Sequence, residues 1–246
     1  MKIQHIITLA FVIMVMVSCN QPSGNSSSEA DNLNVVTTTT MITDLLKQIG
    51  GDKISVQGLM GAGVDPHLYK ATESDVTKLY NADIIIYNGV HLEGKMDEIF
   101  EKMNQGRQKT YAISDAIPAE RLLNASDEYA QHDPHIWFDI ENWKLAAAYV
   151  AEILVRQDSA NKAVYEKNLD VYLNELDALQ QMVVEKIALI PEKQRVLITA
   201  HDAFEYFGRA YGVEVKGLQG ISTVSEAGAA DVRNLADFIY DRKIPA

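Results

Sequence analysis

The chain has 246 residues, 47% of them hydrophobic and 23% charged, a globular composition long enough for two lobes that each bury a core. Its formal net charge of -12 disfavours nucleic acid as a partner, because nucleic-acid binders carry a basic footprint. An acidic surface suits a cationic ligand but also simply keeps a protein soluble, so charge alone does not choose between these.

At the N-terminus, Lys2 supplies a positive n-region and residues 6–17 form an apolar run broken only by Thr8. A membrane span needs about 20 apolar residues, so this shorter run fits the h-region of a signal peptide. It ends at Met16-Val17-Ser18-Cys19, which resembles the lipobox of bacterial lipoproteins, with Met16 where that pattern prefers Leu. Residues 1–19 are therefore expected to be a lipoprotein signal peptide and lipobox, with Cys19 the lipidated first residue of the mature chain. The alternative is an ordinary signal peptide with an incidental cysteine. Cys19 is the single cysteine, which rules out an intrachain disulfide and a thiolate metal site. Any metal must be held by His, Asp or Glu. Residues 20–32, rich in Ser, Asn and Gly, read as a flexible tether.

From residue 33 onward, strand and helix patterns alternate. The β-branched run 33–39 predicts a buried strand, 41–49 a helix stopped by Gly50-Gly51, 54–59 a strand and 73–81 a short helix. The apolar run 83–87 predicts a parallel strand covered on both faces, and 93–103 a helix. This is the rhythm of a doubly wound α/β lobe, assigned to residues 33–156. Residues 141–156 and 161–190 predict two further helices. The second has apolar positions at Tyr165, Leu169, Tyr172, Leu176, Leu179, Val183, Ile187 and Ile190, spaced by threes and fours on one face. Its length, about 45 Å at 1.5 Å per residue, matches the height of two small lobes. The alternation resumes after it: strand 195–200, helix 203–211, strand 213–218, helix 231–242. Residues 157–190 are thus expected to be a linking strut within one molecule rather than a coiled-coil dimer helix, which implies a monomer, and 191–246 a second α/β lobe. Two strand–helix units make a thin sheet, so this second lobe is expected to be incomplete.

Three of the six histidines share a context. His67 lies in Asp65-Pro66-His67, His135 in Asp133-Pro134-His135, and His201 directly follows the strand that ends at Ala200. Proline stiffens the first two turns, and a metal ligand needs rigid presentation. In open α/β sheets ligands sit beyond the carboxyl ends of the strands, where His201 falls. Neutral imidazole serves zinc, manganese and iron. The three are far apart in sequence, so a site must form where segments of the two lobes meet. Asp65 and Asp133 are candidates either for turn chemistry or for a hydrogen bond that orients an imidazole. His91 is expected to be structural, His132 to lie on a solvated loop, and Trp137, Trp143 and Phe138 to belong to the core.

The motifs Asp65-Pro66-His67-Leu68-Tyr69, Asn88-Gly89-Val90-His91-Leu92-Glu93, Asp133-Pro134-His135-Ile136-Trp137-Phe138-Asp139 and His201-Asp202-Ala203-Phe204, with Tyr206-Phe207 and Tyr211-Gly212 behind it, closely resemble the TroA-like metal-binding lipoproteins of bacterial ABC importers. Gly217-Leu218-Gln219-Gly220-Ile221-Ser222 does too, and the resemblance runs from about residue 33 to the end. It implies two α/β lobes joined by one long helix with a metal between them. The first three ligands then fall on His67, His135 and His201. The fourth ligand of the family, an Asp, has no counterpart here and is expected beyond residue 246, in a C-terminal lobe that the sequence leaves truncated. Members resembling manganese binders often carry Glu where this chain has His201. Zinc-dedicated relatives carry a His-rich acidic loop, whereas 124–132 holds one His with Asp127 and Glu128.

The resemblance implies high-affinity binding of a divalent ion, zinc or manganese and by ligand type also iron, and its delivery to an ABC permease and its ATPase. It places the protein in the bacterial cell envelope on a lipid anchor. Two alternatives stand beside this. A zinc hydrolase would need an open coordination position and a nearby general base, and no His-x-x-Glu motif accompanies these histidines. A surface adhesin, a role ascribed to some relatives, is compatible with an anchored protein.

Overall fold

The computed structural model describes residues 32–106, 108–125, 131–224 and 226–244. The signal peptide, Cys19, the tether as far as residue 31 and part of the 124–132 loop lie outside the described residues. From Leu33 onward the chain forms one compact unit. Among the described residues no helix is long and apolar enough to cross a membrane.

Strand β1 (Leu33–Thr37) pairs in parallel with β2 (Ile54–Gly58) on one side and β3 (Ile84–Tyr87) on the other, and β4 (Lys109–Ala112) adds beyond β3. The order β2-β1-β3-β4 reverses direction between β1 and β3. Successive side chains of a strand point to opposite faces, and both faces here are covered. Val35, Ile84 and Ile86 join a core with helices α1 (Thr40–Gly50) and α4 (Ile140–Gln157). Val36 and Ile85 join a second core with α2 (Glu73–Asn81) and α3 (Asp97–Gln105). The first lobe is therefore doubly wound, as the alternating pattern predicts. Strand β4 was not predicted. Its Lys-Thr-Tyr-Ala sequence lacks an apolar run because it is an edge strand, open to solvent at Lys109 and buried only at Ala112.

The helix predicted over 93–103 begins four residues later, and the reason is Glu93. This residue is 1% exposed, and its carboxylate accepts hydrogen bonds from Thr38 Oγ1 (2.6 Å), the Asn88 N–H (2.9 Å) and the Gly89 N–H (3.2 Å). The turn that brings these donors around it uses positive φ at Gly89 (82°), Val90 (52°) and His91 (60°), which no right-handed helix permits.

Helix α5 (Lys162–Ala188) has 27 residues, about 40 Å at 1.5 Å per residue, and packs against α1 and α4. Its predicted seam is real but shallow. Tyr165 and Leu176 are buried, while Leu169, Tyr172, Val183 and Ile187 are partly buried against the core and Leu179 and Ile190 are exposed. Trp143, buried as expected, donates from Nε1 to Tyr172 Oη (2.9 Å) and ties α4 to α5. Trp137 and Phe138 are partly buried against the same core.

Beyond α5, strands β5 (Val196–His201) and β6 (Glu214–Gln219) pair in parallel, with α6 (Glu205–Tyr211) between them and α7 (Ala229–Arg242) after. Two α/β lobes joined by one long helix result. They are gripped together through α6. Tyr206 is fully buried, donates to the Asp133 carbonyl (2.9 Å) and accepts from the Leu123 N–H (3.1 Å). Arg209 donates to Asp139 (3.0 Å) and to the Arg121 carbonyl (2.8 Å), and Arg121 also reaches Asp139 (3.2 Å). Asp139 uses its other oxygen to cap α4 at the Glu141 N–H (3.0 Å).

Gly89 is a position where both space and backbone conformation oppose a side chain. A Cβ there would lie 2.3 Å from Ser114 Oγ and 2.8 Å from Ala112 Cβ, at a φ of 82°. Gly89→Ala is expected to destabilise the fold by about 1–3 kcal/mol, read as a lower urea midpoint at unchanged slope. A midpoint equal to that of the wild type would show that the Asn88–Glu93 turn is not held as described.

Candidate metal centre

The carboxyl ends of β1 and β3 flank the point where the sheet order reverses, the usual position of a binding crevice in such sheets. Thr38 stands just beyond β1 and Asn88 just beyond β3. The Asn88 side chain, fixed through its own backbone by Glu93, donates to the Pro134 carbonyl (2.9 Å). The Asp133-Pro134-His135 turn is thereby pinned to this crevice.

The two Asp-Pro-His turns are built alike. Asp65 Oδ1 accepts the His67 N–H at 2.9 Å, and Asp133 Oδ1 accepts the His135 N–H at 2.9 Å. Proline between them removes a competing donor and fixes φ, so each Asp folds back on its own His. His67 and His135 are 7% and 2% exposed, while His201, the last residue of β5, is partly exposed. The three sequence-predicted histidines converge, with one ligand atom of each lying within 4.8 Å of the others. His67 Nε2 is 3.3 Å from His135 Nε2, which is 3.1 Å from His201 Nε2. Nitrogens bonded at about 2.0–2.1 Å to one tetrahedral zinc ion lie about 3.3 Å apart, so the spacing fits a shared ion.

Hydrogen bonds on the far side of two rings fix their tautomers. His135 Nδ1 lies 2.7 Å from Asp133 Oδ1, and His201 Nδ1 lies 2.9 Å from the Gly220 carbonyl. Both partners are acceptors, so each Nδ1 carries a proton and, in the neutral ring, each Nε2 presents a lone pair. Two lone pairs at this separation repel unless a cation lies between them. Burial, and next the neighbouring His135, hold the His201 imidazole below its ordinary pKa, in the neutral form that ligation needs.

The surroundings are negative. Burial and the Asp133 charge push the Asp202 carboxyl up, and burial and Asp202 push Glu205 up. A cation at the imidazoles would relieve this crowding. Gly217 lets Asp202 approach: a Cβ at Gly217 would stand 2.6 Å from Asp202 Cβ and 2.7 Å from its backbone.

Of the other histidines among the described residues, neither His91 nor His132 is brought to this cluster. His91 takes a left-handed φ of 60° and pairs with Asp97 at 2.8 Å, a structural role as expected. His132, expected on a solvated loop, is half-buried and forms an isolated bridge with Asn124. Glu93, Asn88 and Tyr206 lie within the motifs that carry the family resemblance, yet no role could be read for them from sequence. Nothing local marked Thr38 or Thr223.

The ZnuA family, described as zinc-uptake complex component A, periplasmic, matches residues 35–246. The chain is 47% identical over 224 residues to the zinc-binding protein TroA of Treponema pallidum (strain Nichols), covering 91% of this chain and 72% of TroA. Its fold superposes on the solved periplasmic zinc-binding TroA of that organism with a TM-score of 0.83 and 48% identity, covering 87% of this chain and 76% of the other. It is 41% identical over 236 residues to the manganese-binding lipoprotein MntA of Bacillus subtilis (strain 168), covering 96% and 76% of the two chains. It is 32% identical over 250 residues to the manganese ABC transporter substrate-binding lipoprotein scaA of Streptococcus gordonii, covering 100% and 80%. A family match over residues 35–246, on a chain in which three histidines meet at one point between two α/β lobes, makes this protein a member of the ZnuA family.

Proposed function

We propose that the chain captures one divalent transition-metal ion through Nε2 of His67, His135 and His201 and delivers it to the permease of an ABC importer, whose ATPase drives uptake. The observation that carries this reading is the convergence of three imidazole Nε2 atoms, 3.1 and 3.3 Å apart, with Nδ1 of two of the rings turned to acceptors. A divalent ion among the rings would satisfy all three nitrogens at once, and the Asp133 carboxylate behind His135 fixes the orientation of that ring. Three imidazoles leave one position of a tetrahedral ion for a carboxylate or water. The relatives favour binding and handover over hydrolysis or adhesion: TroA and MntA are named for the metal they bind, and scaA for its place in an ABC transporter.

Zinc and manganese both remain within reach of this donor set. Imidazole serves either, and selectivity in cells depends on geometry and availability. The lipid anchor at Cys19 is part of the same proposal. It rests on the Ser18-Cys19 lipobox and on the lipoprotein names of MntA and scaA, and it sets the protein on the cell-envelope membrane as a monomer facing the permease.

Calorimetric titration of the metal-free chain with zinc or manganese should give one ion per molecule. His67→Ala, His135→Ala and His201→Ala should each weaken binding by about 100-fold or more, since loss of even an outer-shell partner costs about 10–100-fold. A His67→Ala variant that binds both ions as the wild type does would overturn the assignment.

Affinity should fall as the pH drops below about 6, because protonated imidazole cannot ligate and each proton must leave before the ion binds. A flat profile between pH 7 and pH 5 would mean that carboxylates, not imidazoles, hold the ion.

For the anchor, detergent-phase partitioning of the protein expressed in a bacterial host is the check. The wild type should enter the detergent phase and Cys19→Ala should stay in the aqueous phase. Equal partitioning would refute lipidation at Cys19.

A further inference from the structure

The two Asp-Pro-His turns share one hydrogen bond and differ in the next. Asp133 accepts a second bond from its own histidine on the same Oδ1, from His135 Nδ1 at 2.7 Å, and its buried Oδ2 takes no hydrogen bond among the described residues. Asp65 instead reaches across to the second lobe, where its Oδ2 accepts from Thr223 Oγ1 at 2.6 Å. Thr223 lies in the loop that leaves β6, three residues after Gly220, whose carbonyl holds His201 Nδ1 at 2.9 Å. One short segment, residues 220–223, is therefore bonded to His201 at one end and to the His67 turn at the other.

We propose that Thr223 is a positioning residue for metal retention, and that its hydroxyl bond to Asp65 latches the second lobe over the His67 turn. The proposal rests on the reading of His67, His135 and His201 as the metal site. The lobes are already gripped through α6, but Tyr206 and Arg209 hold residues 121–139, on the His135 side. The Thr223 bond acts on the other side, at the turn that carries His67. An ion leaving between His67 and His201 requires those two ligands to part, and parting them stretches the 220–223 segment away from Asp65. The bond must break before the ion escapes, so it slows release without touching the ion. Its acceptor is a carboxylate and its length is short, the features of a charge-assisted hydrogen bond. Both residues are partly exposed, so water competes for each partner and moderates the effect.

The test is the rate at which the zinc-loaded chain yields its zinc to an excess of chromophoric chelator, for the wild type, Thr223→Val and Thr223→Ser. Valine keeps the β-branched shape and removes the donor; serine keeps the donor. Thr223→Val should release zinc about tenfold faster, the ratio that corresponds to one hydrogen bond of about 1.4 kcal/mol, while Thr223→Ser releases it at close to the wild-type rate. All three should still bind one zinc per molecule. In the metal-free proteins, amide exchange at residues 220–223 should quicken in Thr223→Val and not in Thr223→Ser. Release by Thr223→Val at the wild-type rate, or by Thr223→Ser as fast as by Thr223→Val, overturns the latch while leaving the metal site standing. A wild-type chain that binds no zinc or manganese overturns the site itself, and the latch with it.

Discussion

Imidazole nitrogens carry their lone pairs in the plane of the ring, and bringing two of them to hydrogen-bond distance without a proton between them is unfavourable. In this protein the acceptors behind His135 and His201 hold a proton on each Nδ1, so in the neutral rings the two Nε2 lone pairs face each other 3.1 Å apart, with His67 Nε2 3.3 Å from His135. The rest of the fold can be read as the means of maintaining that opposition. Glu93 collects three donors in the first lobe and fixes the Asn88 turn, Asn88 pins Pro134, and Asp133 orients the ring of His135. Burial pushes the Glu93 carboxyl up to about 7, and the hydrogen bonds from Thr38, Asn88 and Gly89 oppose that rise by favouring its charged form.

The three converging histidines divide unequally between the lobes. His67 and His135 come from stiff, buried turns of the first lobe, whereas His201 ends a strand of the second. A receptor that must both take up and hand over an ion benefits from such a division. On the proposed reading, two ligands stand on the buried turns of the first lobe and the third on a strand of the other. The clamp of Arg121 and Arg209 on Asp139 and the buried Tyr206 hydroxyl set where the second lobe sits. They join α6, the helix that follows His201, to the segment that carries His135.

Much of this was legible in the sequence because the signals were local. The β-branched and apolar runs marked β1, β2 and β3, the spacing of threes and fours marked α5, and the paired Asp-Pro-His turns marked two of the three histidines. What escaped was what depends on distant partners. Strand β4 has no apolar run because an edge strand needs none. The start of α3 was misplaced because Glu93, which looks like a good helix residue, is bound to Thr38 fifty-five positions away. The two aspartates of the Asp-Pro-His turns read identically in sequence, and only the fold shows that one orients an imidazole while the other reaches Thr223. His132 became half-buried through a bridge to Asn124 that no periodicity announces.

The central claim is that one ion sits among three imidazoles, and X-ray absorption of the zinc-loaded chain tests it most directly. The account predicts a first shell of nitrogen and oxygen only at about 2.0–2.1 Å, with the multiple-scattering pattern of three imidazole rings. A shell of oxygen alone, without imidazole scattering, would contradict it.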